Sequence, residues 1–153
     1  MNPSVELLAC TTKNTHYFTF KGQSHICKCV SVYDGDIITV VFDTKIVNGD
    51  VGPYYKHRIH LIGDIPELRT KNLDEKKMRI MVRDIVREKI LNKIIHIECD
   101  EFDKYERLLV NVFIGGENIK ELVVDMKYAY KYGGGPKQDI YLNLKHIPTT
   151  PNK

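Results

Sequence analysis

The sequence has no apolar run long enough to cross a bilayer as a helix, no internal repeat, no low-complexity tract and no Cys-x-x-Cys spacing. The first lack excludes a helical membrane protein, so no membrane partner is expected. The next two exclude a repeat array and a compositionally disordered chain. The last leaves Cys10, Cys27, Cys29 and Cys99 outside any zinc or redox motif; Cys27 and Cys29 would share one strand face, and reduced thiols are expected. A strong charge of either sign is missing as well. The formal charge of +3 permits a nucleic-acid partner without arguing for one, because local patches count for more than totals. Between Met1 and Thr12 the one apolar stretch, Val5 to Cys10, has no basic residue before it. That makes a poor signal peptide, and an intracellular protein is expected.

What is present suits one soluble domain: 153 residues, 42% hydrophobic and 28% charged, can bury a core without staples. Ile26, Lys28, Val30 and Val32 alternate with Cys27, Cys29, Ser31 and Tyr33, and Asp34-Gly35 then leads into the apolar run Ile37 to Phe42. Two strands joined by a tight turn are predicted. A second turn at Asn48-Gly49 precedes a third strand over Tyr54 to Ile62, which Gly63 and Pro66 end. From Leu73 to Leu91 the period changes: Met78, Met81, Val82, Ile85, Val86 and Ile90 recur at helical spacing on one face. Lys93 to Glu98 and Leu108 to Phe113 are strand-like again, and Asn118 with Glu121 resembles a capping box opening a short helix to about Lys127. This order predicts an α+β, β-rich fold: a five-stranded Greek-key barrel of the OB type, with one helix between strands three and four and a short C-terminal helix. Such barrels host many functions, so the fold alone selects none.

Three polar motifs interrupt these elements. Asp34-Gly35-Asp36 occupies the first hairpin turn, Asp64-Ile65-Pro66-Glu67 follows the third strand, and Asp103-Lys104-Tyr105-Glu106-Arg107 enters the last barrel strand. Taken singly, each is more often turn chemistry: Asp-Gly is a common hairpin, Pro-Glu a common helix start, and a charged pentapeptide a common solvated loop. Taken together, two aspartates make a hard-oxygen site for Ca²⁺ or Mg²⁺, a nearby glutamate can act on water, and an arginine can grip a phosphate with its planar fork.

In this order and approximate spacing the motifs resemble the staphylococcal nuclease family, through Val32-Tyr33-Asp34-Gly35-Asp36-Ile37, Asp64-Ile65-Pro66-Glu67, Asp103-Lys104-Tyr105-Glu106-Arg107-Leu108-Leu109, and the aromatic and glycine run Tyr128-Ala129-Tyr130-Lys131-Tyr132-Gly133-Gly134. The resemblance divides the chain into an N-terminal extension (1–25), a nuclease-like OB domain (26–137) and a tail (138–153). It implies a Ca²⁺-dependent phosphodiesterase, with Mg²⁺ or another divalent cation as a substitute, acting on DNA or RNA with single strands preferred. A monomer is expected. Asp36, Asp64 and the Ile65 carbonyl would hold the metal. Glu67 would orient or deprotonate the attacking water, and Arg107 with a second arginine on the third strand would bind the scissile phosphate. Lys104 and Tyr105 would hold the neighbouring phosphate, and Tyr130 or Tyr132 would stand beside the base.

The chain departs from that pattern in places. Ile37 and Ile65 replace threonines, Glu106 replaces a glycine, and the proline-bearing tail is short for a third helix. Arg58 precedes Asp64 by one residue more than the family's arginine does, so a β-bulge between Arg58 and Gly63 is expected to re-aim it, with His60 as the alternative occupant of that position. The competing reading is a catalytically weak or inactive OB module that binds single-stranded nucleic acid or a protein partner. Acidic groups facing phosphates gain a pure binder nothing, which favours the enzyme.

Overall fold

A computed structural model describes residues 1–62 and 73–132 of the chain. The elements are α1 (Val5–Leu8), β1 (Ser24–Asp34), β2 (Ile37–Asp43), β3 (Tyr54–Leu61), α2 (Leu73–Ile90), β4 (Ile94–Phe102), β5 (Leu108–Ile114), β6 (Glu117–Asn118) and α3 (Ile119–Tyr132). The strands run in the order β3-β2-β1-β4-β5-β6, and a parallel pairing of β3 with β5 closes the first five into a barrel. The β-rich α+β, OB-like barrel expected from the sequence is therefore the fold. The brief α1 and the two-residue β6 carried no apolar period by which to foresee them.

Alternation along the strands decides what faces inward. Ile38, Val40 and Phe42 of β2, and Leu108, Val110, Val112 and Ile114 of β5, are buried, while their neighbours are partly exposed. Cys27, Cys29 and Cys99 also face the core as free thiols; burial pushes Cys27 up to about 12, which leaves it inert as a nucleophile. β1 is the long strand that both halves share. Its first residues, Ser24 to Lys28, pair with β4, and Lys28 to Asp34 pair with β2. Register shifts between Cys29 and Ser31 and between Val32 and Asp34 bend it toward the first hairpin.

All six apolar residues expected on α2, from Met78 to Ile90, are buried. Each is worth about 1.5–3 kcal/mol of transfer free energy, so packing rather than intrinsic propensity holds this helix. The helix approaches the first hairpin closely: a Cβ on Gly35 would lie 2.6 Å from Cγ1 of Val82, which explains a glycine there. Arg79 Nη2 bonds Asp34 Oδ2 at 3.0 Å and Arg87 Nη2 bonds the Val32 carbonyl at 2.8 Å, tying the hairpin to the helix from outside. At α3 the side chain of Asn118 accepts from the Lys120 N–H at 2.9 Å, as a helix cap should. The helix then runs to Tyr132, beyond the expected stop near Lys127, and buries Ile119, Val123 and Met126.

The N-terminal extension is not wholly outside the barrel. Phe20 packs edge-on against His25, Phe42 and His57, and Gly22 donates its N–H to the Cys99 carbonyl at 3.0 Å. The folded unit therefore begins before Ile26.

Candidate active site

Two connections and the end of one strand bring polar residues to one seam on the barrel's outer surface. The β1–β2 turn supplies Asp36, whose carbonyl accepts the Leu61 N–H at 2.9 Å and so locks the turn to the end of β3. β3 supplies His60, which alternates with buried Ile59 and Leu61 and faces outward. The β4–β5 connection supplies Asp103 and Arg107.

Asp103 organises this seam. Its Oδ1 accepts the backbone N–H groups of Tyr105 (2.8 Å) and Arg107 (3.0 Å), which folds the turn. Its Oδ2 accepts Arg107 Nε at 2.7 Å and meets His60 Nδ1 at 3.1 Å. Burial pushes the Asp103 carboxyl up, but the hydrogen bonds from the Arg107 and Tyr105 amides, the Arg107 guanidinium and His60 outweigh it and hold the group below its ordinary value. An ionised Asp103 can only accept, so Nδ1 of His60 is the donor. On the other side of the imidazole, Nε2 lies 3.7 Å from Asp36 Oδ2. The row Asp36–His60–Asp103–Arg107 is thus continuous. The bond to Nε leaves the two terminal nitrogens of Arg107 without an acceptor among the described residues, a pre-set fork for an oxyanion.

Arg58 is not in this row. The β2–β3 register runs without a shift from Asp43–Tyr54 to Ile37–His60, and the β3–β5 register continues evenly to Leu61. The expected bulge is absent over this stretch, and strand alternation leaves Arg58 two residues from His60 on the same outward face. Unbroken ladders on both sides of β3 leave no place for an extra residue between Arg58 and Leu61. His60, the alternative, is what meets Asp36 and Asp103. Arg58 instead lines a neighbouring groove of about 240 Å³ with Lys56, His57, Phe102, Tyr105, Glu106 and Leu108.

Lys104 and Tyr105 lie at the same turn, with Lys104 Nζ and Arg107 Cζ each 5.1 Å from the centre of the Tyr105 ring. Glu106, at the glycine position of the resemblance, has φ +63° and contributes to the groove rather than to the row. Asp64, Ile65 and Glu67 lie outside the described residues. Tyr130 and Tyr132 fall in the last turn of α3, and their side chains lie outside them too. Among the described residues no three His, Cys, Asp or Glu side chains converge as metal ligands. Asp36 nevertheless suits a hard cation: it is 28% exposed, and the imidazole of His60 stands off its carboxylate at 3.7 Å.

Sequence reading missed the role of Asp103. An aspartate opening a charged turn four residues before an arginine was the available signal, and it is a common one. No protein-family model and no curated protein matches the chain.

Proposed function

We propose that this chain is a metal-dependent nuclease of the staphylococcal nuclease type, hydrolysing phosphodiester bonds of single-stranded DNA or RNA. The observation that carries this reading is the meeting of Asp36 and Arg107, from opposite ends of the barrel sequence, in one row on an OB-like barrel, in which Asp103 hydrogen-bonds both His60 and Arg107 and His60 lies 3.7 Å from Asp36. A divalent cation held by Asp36, with Asp64 and the Ile65 carbonyl, would supply positive charge to a phosphate oxygen and to the attacking water. Arg107, its Nε fixed by Asp103, presents its remaining N–H groups to the non-bridging oxygens where charge collects. His60 fills the space between carboxylate and guanidinium, held by Asp103 at Nδ1. Glu67 takes the proton of the water. Lys104 and Tyr105 hold the adjoining phosphate.

One observation favours a second reading, a strand-binding module that cuts weakly or not at all. The row contains a single arginine where the resemblance asks for two, and a histidine stands in the gap. Incubation of the purified protein with single-stranded DNA and Ca²⁺, Mg²⁺ or Mn²⁺, and then with EDTA, separates the two. The nuclease reading expects fragments that EDTA suppresses. It also expects Glu67→Gln to bind strands as the parent does while cleavage falls by about 10²–10⁴, the usual worth of general-base help. Arg107→Lys keeps the charge but loses the fork, and should slow cleavage as well. A parent that binds single strands and never cuts them would make the second reading the right one.

A further inference from the structure

The groove beside the row contains groups that the cleavage chemistry does not use. Lys56, Arg58 and His60 alternate on the outward face of β3, so their side chains stand about 7 Å apart, two residues of strand rise. The line starts at the row and leads away from it. Lys56 and Arg58 form no ion pair or side-chain hydrogen bond among the described residues, whereas Arg79, Arg83 and Arg87 of α2 are all engaged with Asp34, Asp84 or the Val32 carbonyl. Cations without an internal partner are available to an external anion. Two aromatic rings lie beside them, Tyr105 at 62% and Phe102 at 41% exposure. The volume, about 240 Å³, falls short of the roughly 300–1,000 Å³ of pockets that enclose small molecules, and fits one unit of a chain that passes through.

We propose that this groove is a subsite for the nucleotide next to the cleaved linkage, with Lys56 and Arg58 on its phosphate and the Phe102 ring on its base. It rests on the nuclease reading above and adds to it the direction in which the strand leaves the row. A base must be splayed from its neighbours to lie on an aromatic face, so the subsite takes single strands and, since every base offers such a face, is indifferent to sequence. Glu106 is the one carboxylate in the lining. It sets a limit on the phosphate charge the groove attracts, two cations against one anion.

Fluorescence anisotropy with labelled oligothymidylates from dinucleotide to octanucleotide, in EDTA so that nothing is cut, tests this. For the parent, affinity should climb with length over the first few nucleotides. In Lys56→Ala/Arg58→Ala that climb should flatten, with about tenfold weaker binding of the octanucleotide and little change for the dinucleotide. The dependence of log Kd on log salt should lose about 0.7, the value for one neutralised phosphate on a single strand. Arg58→Gln, which keeps most of the side-chain stem, should show about half of this, and far-ultraviolet circular dichroism checks that both variants are folded. Unchanged affinities and salt slope in the double variant, with a parent that cleaves when metal is added, would overturn the subsite and leave the nuclease reading standing. A parent that binds no single strand at any length would overturn both.

Discussion

Two parts of the barrel surface are built around histidines and treat them in opposite ways. In the polar row, His60 sits between Asp36 and Asp103, each ring nitrogen facing a carboxylate. At the other end of β2 and β3, His25 and His57 stack on the two faces of Phe42, with ring centres 4.2 and 4.1 Å away, and Phe20 covers the group edge-on. There His57 Nε2 is buried with no hydrogen-bond partner among the described residues, and burial lowers the proton affinity of both imidazoles. One residue type thus serves as a polar link between two carboxylates in the first place and as a flat ring closing an apolar plug in the second. The local partners set the role, and the two regions should fail in different ways when disturbed.

The largest effect is expected at the plug. Phe42→Ala removes a ring that contacts three others, and truncation of a buried phenylalanine costs about 3–5 kcal/mol. For a chain of this length, that lowers the melting temperature by roughly 10 °C, read by thermal denaturation. Below that temperature, strand binding and cleavage should match the parent. A variant that melted normally but lost strand binding would break the separation between plug and row.

A smaller effect in stability and a larger one in activity is expected from Asp103→Asn. The amide oxygen can still accept the Tyr105 and Arg107 N–H groups, so the turn should fold. The amide nitrogen replaces the oxygen that holds Arg107 Nε and His60 Nδ1, and both side chains lose their anchor. Cleavage should drop by about 10²-fold or more, comparable to loss of one positioned donor to a transition-state oxyanion. Steady-state kinetics with a defined oligonucleotide checks this. Parent-like turnover would mean that the Asp36–Arg107 row is not where the chemistry occurs.

These two regions also show what the sequence does and does not disclose. The barrel was legible because alternation in Ile37 to Phe42 and Leu108 to Phe113, and the three- and four-residue spacing of Met78 to Ile90, are local patterns that burial enforces. Asp36 and Arg107 were legible as parts of ordered motifs. The contest between Arg58 and His60 was not, because it turned on whether β3 carries an extra residue, and register is fixed by pairing with β2 and β5 rather than by β3's own sequence. The plug escaped notice for a related reason. Phe20, His25, Phe42 and His57 come from an extension and three strands, and no periodicity links them.

The smallest expected effect is a pH dependence of stability that belongs to the plug. His57 is lowered chiefly by burial and further by the neighbouring His25; His25 itself is lowered by burial, while its Nε2 lies 2.9 Å from Gln23 Oε1. In the unfolded chain both imidazoles titrate near 6.5, whereas in the fold they take up a proton only at lower pH. Between those values the unfolded state binds more protons, so stability rises with pH across the window. The contribution is complete above about pH 6.5 and declines as pH falls below it, until the folded-state values are passed. His57→Phe keeps a flat ring on Phe42 and removes one of the two titrating groups. Urea unfolding at a series of pH values from about 7.5 down to 5 should therefore give a shallower decline for the variant than for the parent. If the two curves stay parallel over that range, the buried Nε2 of His57 gains a proton as easily folded as unfolded, and the contrast between the two histidine environments loses its physical basis.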